Sequence, residues 1–346
     1  MPAYHQRNDD GTWRTVQDSD PAYWDTVYSD RTLLTALAEV RTGAGVQQVP
    51  VSSSTQPSLM VRMLDELDLH DGHRVLEVGT GTGYNAALLA QRLGERNVYS
   101  VDLRPDLVAA ARDRLAAAGC RPTLATRDGT LGLAEHAPYD RIIATCAVPA
   151  IPPAWVEQTR PGAIILADLQ GCLYAGNIAR LHRVGDHAEG RFLTTWAGFM
   201  PIRHTLDLPD IPRPRQPRND AAERATPLGP AVLDEPVFAF FTQLHLPPGT
   251  TQHVTVHDDG TTTHLNAPDG SWCHTPDHTA PDGTHRVTEA GAVPLWKLLE
   301  HAHHQWQHAG KPDWPRFGVT VTTTHQRIWL DSPVTGDTWP IAVDNG

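Results

Sequence analysis

The apolar positions of this chain change period repeatedly, and each change marks an element. The short run Val75-Leu76-Glu77-Val78 predicts a buried strand, and glycines at 79, 81 and 83 turn it into a helix opened by Ala86, Ala87, Leu88 and Leu89. Upstream, Leu59, Met60, Met63, Leu64 and Leu67 recur at helical spacing behind Pro57, whose missing N–H costs nothing in a first helical turn. Downstream, NVYSVD (97–102) predicts a second strand, and Leu107, Val108, Ala111 and Leu115 predict a helix from Pro105 to Ala118. PTLATRDG (122–129) and YDRIIATCAVP (139–149) follow as a third and a fourth strand. Strands alternating with helical stretches predict a parallel α/β sheet. AIILADLQG (163–171) adds another strand, and IARLHRV with RFLTTWAGFMPI predicts the arms of a closing hairpin, so a first domain over 49–205 is expected.

The flanks read differently. Residues 1–48 scatter Trp13, Tyr23, Trp24 and Tyr28 among polar positions and predict a helix from Asp30 to Arg41; they read as a flap packed on the main domain, or as a cover for the substrate. Residues 206–228 are rich in proline and charge, the composition of a linker. Within 229–346, VTVHDDGTTTHL and FGVTVTTTHQRIWLDSP read as hairpins, the first turning at Asp259-Gly260. Between them, Pro294 and Gly310 bound a helix whose Leu295, Leu298, Leu299, Ala302 and Trp306 would face a core. This is a smaller α+β accessory domain.

Composition narrows the classes. A chain of 346 residues can bury two cores, and a net charge of -12 with a pI near 5.8 argues against a nucleic-acid partner, which needs a concentrated basic face. A peptide or small-molecule partner fits better. Cys120, Cys146, Cys172 and Cys273 are far apart and form no C-x-x-C pair, so neither a disulfide framework nor a cysteine zinc site is suggested. His301, His304 and His308 lack an acidic or cysteine partner, and no metal is expected. With no long apolar run and no signal-peptide pattern, the expected place is the cytoplasm, away from membranes.

The G-x-G-x-G turn lacks the last glycine or alanine of G-x-G-x-x-G, which disfavours a dinucleotide and suits the amino-acid end of S-adenosylmethionine. Asp102 stands at a strand end about 20 residues past the glycines, where a carboxylate takes ribose hydroxyls. Asp128-Gly129 can meet the adenine edge, and Thr145, Cys146, Ala147 and Val148 can line a cleft beyond the fourth strand, although Cys146 alone reads as a small buried residue. The hydroxyls of VSSSTQP, Ser54 and Thr55 among them, either cap the following helix or hold an anion at its start.

Taken together, VSSSTQPSLM, VLEVGTGTGYNAALLA, RDGTLGLAEHAPYDRIIATCAVPAIP and GFMPI resemble the protein-L-isoaspartate O-methyltransferase family over roughly residues 49–205. The resemblance implies a Rossmann-like class I methyltransferase that esterifies an aspartyl-derived carboxylate with S-adenosylmethionine, leaving S-adenosylhomocysteine. By position it implies that Glu77, Gly79, Thr80, Gly81 and Gly83 hold the cofactor's amino-acid end, Asp102 the ribose, and Asp128 and Gly129 the adenine. The family's active-site serine falls on Thr55, with Ser54 and Gln56 beside it. The family's N-terminal VPR-x-x-F-VP segment is not seen, so the chain is expected to begin just after it. RFGVTVTTTHQRIWLDSP and Trp339 resemble tails of methyltransferases associated with ATP-grasp peptide maturation, the graspetide systems. That implies a ribosomally made, cyclised peptide as substrate and an aspartimide or isoaspartate as outcome. Repair of damaged isoaspartyl proteins and a non-catalytic peptide-binding homologue are the alternatives, with a dehydrogenase disfavoured by the glycine spacing.

Overall fold

The structure is a computed structural model and describes residues 3–42, 45–207 and 221–342; most of the expected linker at 206–228 lies outside them. The N-terminal stretch forms β1 (Ala3–Arg7), β2 (Trp13–Gln17), α1 (Tyr23–Val27), β3 (Leu33–Thr42) and β4 (Gly45–Ser54). Its strands make an antiparallel sheet ordered β2-β1-β3-β4. The helix expected over Asp30–Arg41 is thus corrected to strand β3. Leu and Ala recur there at spacings that suit either element, and pairing along the whole of β4, with a bulge at Ala36, decides for the strand.

From β4 the chain enters α2 (Pro57–Glu66), then β5 (Val75–Val78), α3 (Tyr84–Leu93), β6 (Val98–Asp102), α4 (Pro105–Ala117) and β7 (Thr123–Thr126). It continues through β8 (Tyr139–Val148), α5 (Pro153–Glu157), β9 (Thr159–Gln170), β10 (Gly176–Val184) and β11 (His187–Phe192). Pro57 opens α2 as predicted, and Met60, Met63 and Leu67 are buried with Leu89 and Leu93 of α3 against one face of the sheet. Strands β7-β6-β5-β8-β9 are parallel, and the order reverses between β5 and β8. Ligands bind beyond the carboxyl ends of strands at such a switch point.

The closing hairpin differs from expectation. Val184 pairs with His187 across a two-residue Gly185-Asp186 turn, Gly185 having φ +58°, so HAEGRF forms the second arm. Residues 193–202 leave the sheet and return to the end of β8, where the Met200 carbonyl accepts from the Ala147 N–H at 2.9 Å and the Ile202 N–H donates to the Ala147 carbonyl at 2.7 Å.

The rest of the chain forms β12 (Ala222–Thr226), α6 (Pro236–Gln243), β13 (Thr251–His257), β14 (Gly260–Asn266), β15 (Trp272–Pro276), β16 (His285–Ala290), α7 (Leu295–His308), β17 (Phe317–Val321), β18 (Gln326–Leu330) and β19 (Thr338–Ile341). Strands β12 to β16 make a separate antiparallel sheet. α7 buries Leu295, Leu299 and Ala302, together with Trp296, which the apolar spacing had left out. The last three strands add to the edge of the central sheet through β11–β17 pairing and bring it to ten. Phe192 of β11 packs on Phe240 of α6 at 5.0 Å, so one core runs from the parallel sheet into the C-terminal module. Among the described residues no cluster of three or more His, Cys, Asp or Glu is placed to hold a metal, and no helix is long and apolar enough to cross a membrane.

Candidate active site

A cleft of about 580 Å³ opens at the carboxyl ends of β5, β6 and β8, within the range of small-ligand sites. Its floor is the glycine turn. The Gly79 and Thr80 N–H groups donate to the Val101 carbonyl at 2.9 and 3.2 Å, which draws the turn across to β6. Gly79 has φ +100°, and a Cβ there would stand 2.6 Å from Thr145 Oγ1. Gly83, at φ +86°, starts α3, and a Cβ on it would press on Ala111 and Leu115 of α4. Its role is packing of helix on helix; it does not line the cleft.

Glu77 is fully buried at the base of the cleft and accepts from Asn85 Nδ2 at 2.8 Å and from Ser100 Oγ at 2.5 Å. Burial pushes its carboxyl up to about 7, against the pull of those two hydrogen bonds. Thr80 Oγ1 lies 2.6 Å from Ser100 Oγ and completes this polar group. Asp102 accepts the Gly81 N–H at 2.9 Å and the Arg104 N–H at 3.1 Å, so the carboxylate is fixed at the cleft's rim by backbone donors. Gly129 lines the cleft, and a Cβ there would meet Val78 Cγ1 at 2.4 Å. Asp128 stands behind it. Burial raises the Asp128 carboxyl, but the Thr130 N–H, the His204 ring at 2.9 Å and the Thr130 hydroxyl together hold it below the usual carboxylate range.

The end of β4 forms another wall. Ser53, Ser54 and Thr55 line the cleft, and the Ser53 carbonyl oxygen would be 3.7 Å from a Cβ on Gly81. Neither Ser54 nor Thr55 caps α2. The N-cap position is Gln56, and the Ser58 N–H is met at 2.8 Å by Asp30, a residue from before β3 whose carboxylate also accepts from Gln56 Nε2 at 2.9 Å. Among the described residues the two hydroxyls have no hydrogen-bond partner, which leaves them available to a ligand. Gln56 itself is turned to Asp30 and Ser58 and is not part of the lining.

Of the residues expected beyond β8, Thr145 and Cys146 line the cleft, whereas Ala147 and Val148 are buried in the core. Thr145 Oγ1 donates to the Gly79 carbonyl at 2.7 Å and is occupied in holding the glycine turn. Burial pushes the Cys146 thiol far up, so it is no nucleophile at neutral pH. Residues 198–203 supply a further wall, anchored by the Phe199 N–H donating to Asp168 at 2.8 Å. Burial raises Asp168 to about 7, with that N–H opposing. Sequence reasoning missed Asp30, Asn85, Ser100, Asp168, Tyr174 and Arg203. Of these, Arg203 alone had a local signal, as the charge that directly follows GFMPI.

The residues fit S-adenosylmethionine. Asn85 Oδ1 is buried without a partner beside a buried carboxyl, a pair that an ammonium group satisfies. The cleft has glycine where a Cβ would obstruct it and a fixed carboxylate at a strand end, which suits a ribose.

The family described as Protein-L-isoaspartate(D-aspartate) O-methyltransferase (PCMT) matches residues 26–195. The Protein-L-isoaspartate O-methyltransferase of Anaeromyxobacter dehalogenans is 46% identical over 154 residues, covering 43% of this chain and 72% of that protein. The protein of the same name from Methanococcoides burtonii is 43% identical over 112 residues, 32% of this chain and 55% of the relative. The chain spans about half the length of several such relatives. A solved structure titled protein-L-isoaspartate O-methyltransferase aligns over 91% of this chain and 90% of its own, with a TM-score of 0.51 and 21% identity. That likeness is one of fold. It supports the Rossmann-like class I methyltransferase architecture, and its extent takes in most of the C-terminal module.

Proposed function

We propose, from the premise that this chain belongs to the protein-L-isoaspartate(D-aspartate) O-methyltransferase family, that it methylates an aspartyl-derived carboxylate of a peptide or protein. One observation carries the reading: the cleft joins a polar, glycine-floored cradle to two hydroxyls, at Ser54 and Thr55, that are unengaged among the described residues. When bound, S-adenosylmethionine supplies an electrophilic methyl whose C–S bond breaks with the electron pair passing to sulfur. The acceptor needs no proton removed, since a carboxylate with a reference pKa of about 4 is already ionised at neutral pH. The chain's work is therefore positioning and exclusion of water. Glu77 and Asn85 would hold the cofactor's ammonium, Asp102 the ribose and the wall at Gly129 the adenine, with Asp128 bracing that wall through Thr130 and His204. Thr55, with Ser54, would orient the carboxylate oxygen toward the methyl. The ester formed is a better acyl donor than the acid, and the following backbone nitrogen can expel methanol to give a succinimide.

Within this activity the favoured substrate is a cyclised, ribosomally made peptide of the graspetide kind. The tail's resemblance supports it, as does the module's contact with the cleft: Gln243 of α6 accepts the Leu173 N–H at 3.2 Å and donates to the Ala175 carbonyl at 2.7 Å, on either side of the cleft residue Tyr174. Repair of isoaspartyl proteins is the second reading, favoured by the sequence likeness to relatives named protein-L-isoaspartate O-methyltransferase. Mass spectrometry after incubation with S-adenosylmethionine separates them. A methyl adduct, or its methanol-loss successor, on the cognate cyclised peptide is the expected result. Turnover of generic isoaspartyl peptides alone gives the repair reading, and no binding of S-adenosylhomocysteine in calorimetry points to a non-catalytic peptide-binding homologue.

A further inference from the structure

The charged side chains lining the cleft are Glu77, Asp102 and Arg203. The two acids are engaged by the Asn85, Ser100, Gly81 and Arg104 donors. Arg203 is not engaged in the same way. Its guanidinium carries five N–H donors, and among the described residues a single one, on Nη2, is used, in a long hydrogen bond of 3.3 Å to the Val51 carbonyl. Asp102 attracts it from a distance without pairing, while burial and the neighbouring Arg104 disfavour its charge. An arginine cannot shed its proton to relieve this, so an anion brought in by a ligand would be favoured beside it. Val51 lies on the same strand as Ser54 and four residues before Thr55, which puts the guanidinium on the wall that presents the acceptor hydroxyls.

We propose that Arg203 binds a second carboxylate of the substrate, distinct from the one methylated, so that the cleft selects acidic peptides. The inference rests on the carboxyl-methylation reading above. The methylated carboxylate is an unsuitable partner for this cation. It loses its charge as the ester forms, so a guanidinium paired with it would stabilise the ground state more than the transition state. A neighbouring carboxylate keeps its charge throughout, and pairing with it strengthens ground state and transition state alike, raising affinity without slowing the methyl transfer.

Calorimetry on the S-adenosylhomocysteine-saturated protein tests this with two short synthetic peptides, each made with an aspartyl and with an isoaspartyl acceptor, that differ by Glu or Gln next to the acceptor residue. The wild type is expected to prefer the Glu peptide by roughly tenfold, about 1.4 kcal/mol. Arg203→Gln should abolish the preference while S-adenosylhomocysteine affinity stays within about twofold, and Arg203→Lys should keep part of it, having the charge without the fork. Equal affinity of the wild type for both peptides, including none for either, overturns the proposal. So does an Arg203→Gln variant that weakens both peptides, or the cofactor product, to the same degree, because that assigns Arg203 to the wall itself. Methyl transfer to the two peptides, followed by mass spectrometry, separates the two levels. Transfer without preference sinks this inference and leaves the function; preference without transfer does the reverse.

Discussion

Thr55 and Glu77 show how far single residues carry the chemistry. Thr55 is released from helix capping because Asp30 meets the Ser58 N–H in its place, a contact across 28 positions that no local pattern announces. If its hydroxyl orients the acceptor carboxylate, Thr55→Ala removes one hydrogen bond to a charged group, about 1.5–3 kcal/mol, or roughly ten- to a hundredfold in kcat/KM. Thr55→Ser should retain most of the rate; steady-state methyl transfer checks both. Glu77 makes a pH prediction. Its folded value of about 7 lies above the ordinary 4.5, so the ligand-free fold is favoured below the ordinary value and loses that contribution as pH rises through about 7. A bound ammonium reverses the preference by favouring the ionised carboxylate. S-adenosylhomocysteine should therefore bind more tightly, with proton release, as pH rises through about 7, and calorimetry on Glu77→Gln should show neither effect.

At the scale of elements, the strand, glycine turn and helix over 75–93 were legible because their determinants are local: a short apolar run, then residues able to hold left-handed backbone. Gly79→Ala should be severe, since its Cβ would need the place of Thr145 Oγ1 at 2.6 Å and its φ of +100° is strained for alanine. The expected result is a lower melting temperature and loss of the thermal shift given by S-adenosylhomocysteine; a variant with an unchanged shift would show that the turn does not form the cofactor floor. The helix expected over Asp30–Arg41 failed for the opposite reason. Its Leu and Ala positions fit a helix or a strand, and only the partner strand β4 distinguishes the two. The arm expected over 191–202 failed because the Gly185-Asp186 turn closes the hairpin sooner, which frees the remaining residues to wall the cleft.

For the whole molecule, the C-terminal segment is built onto the edge of the central sheet and reaches the cleft. Strands β17 to β19 extend the central sheet, Gln326 accepts from the Ile151 N–H at 2.9 Å beyond β8, and Gln243 holds the loop carrying Tyr174. Gln243→Leu would leave the buried Leu173 N–H without a partner, at about 1–3 kcal/mol, and would leave the Ala175 carbonyl with the Gly171 N–H alone. We expect it to lower the melting temperature and to raise KM for a peptide substrate while leaving S-adenosylhomocysteine affinity in place, because Gln243 contacts the loop at Tyr174 and not the glycine turn. Equal loss of peptide and cofactor affinity in kinetics and calorimetry would mean that the module supports the whole cleft without favouring its substrate side.

By itself the sequence determined the alternation of strands and helices, the glycine turn and the acid at the end of the second strand, because apolar period and backbone freedom act over neighbouring residues. Tertiary structure decided the rest. It alone placed Asp30 on the start of α2, Asn85 and Ser100 on the buried Glu77, residues 198–203 along the cleft, and Arg203 beside the β4 wall. Each of those placements joins segments distant in the chain, and the burial that raises Glu77 and disfavours the charge of Arg203 exists only once they meet.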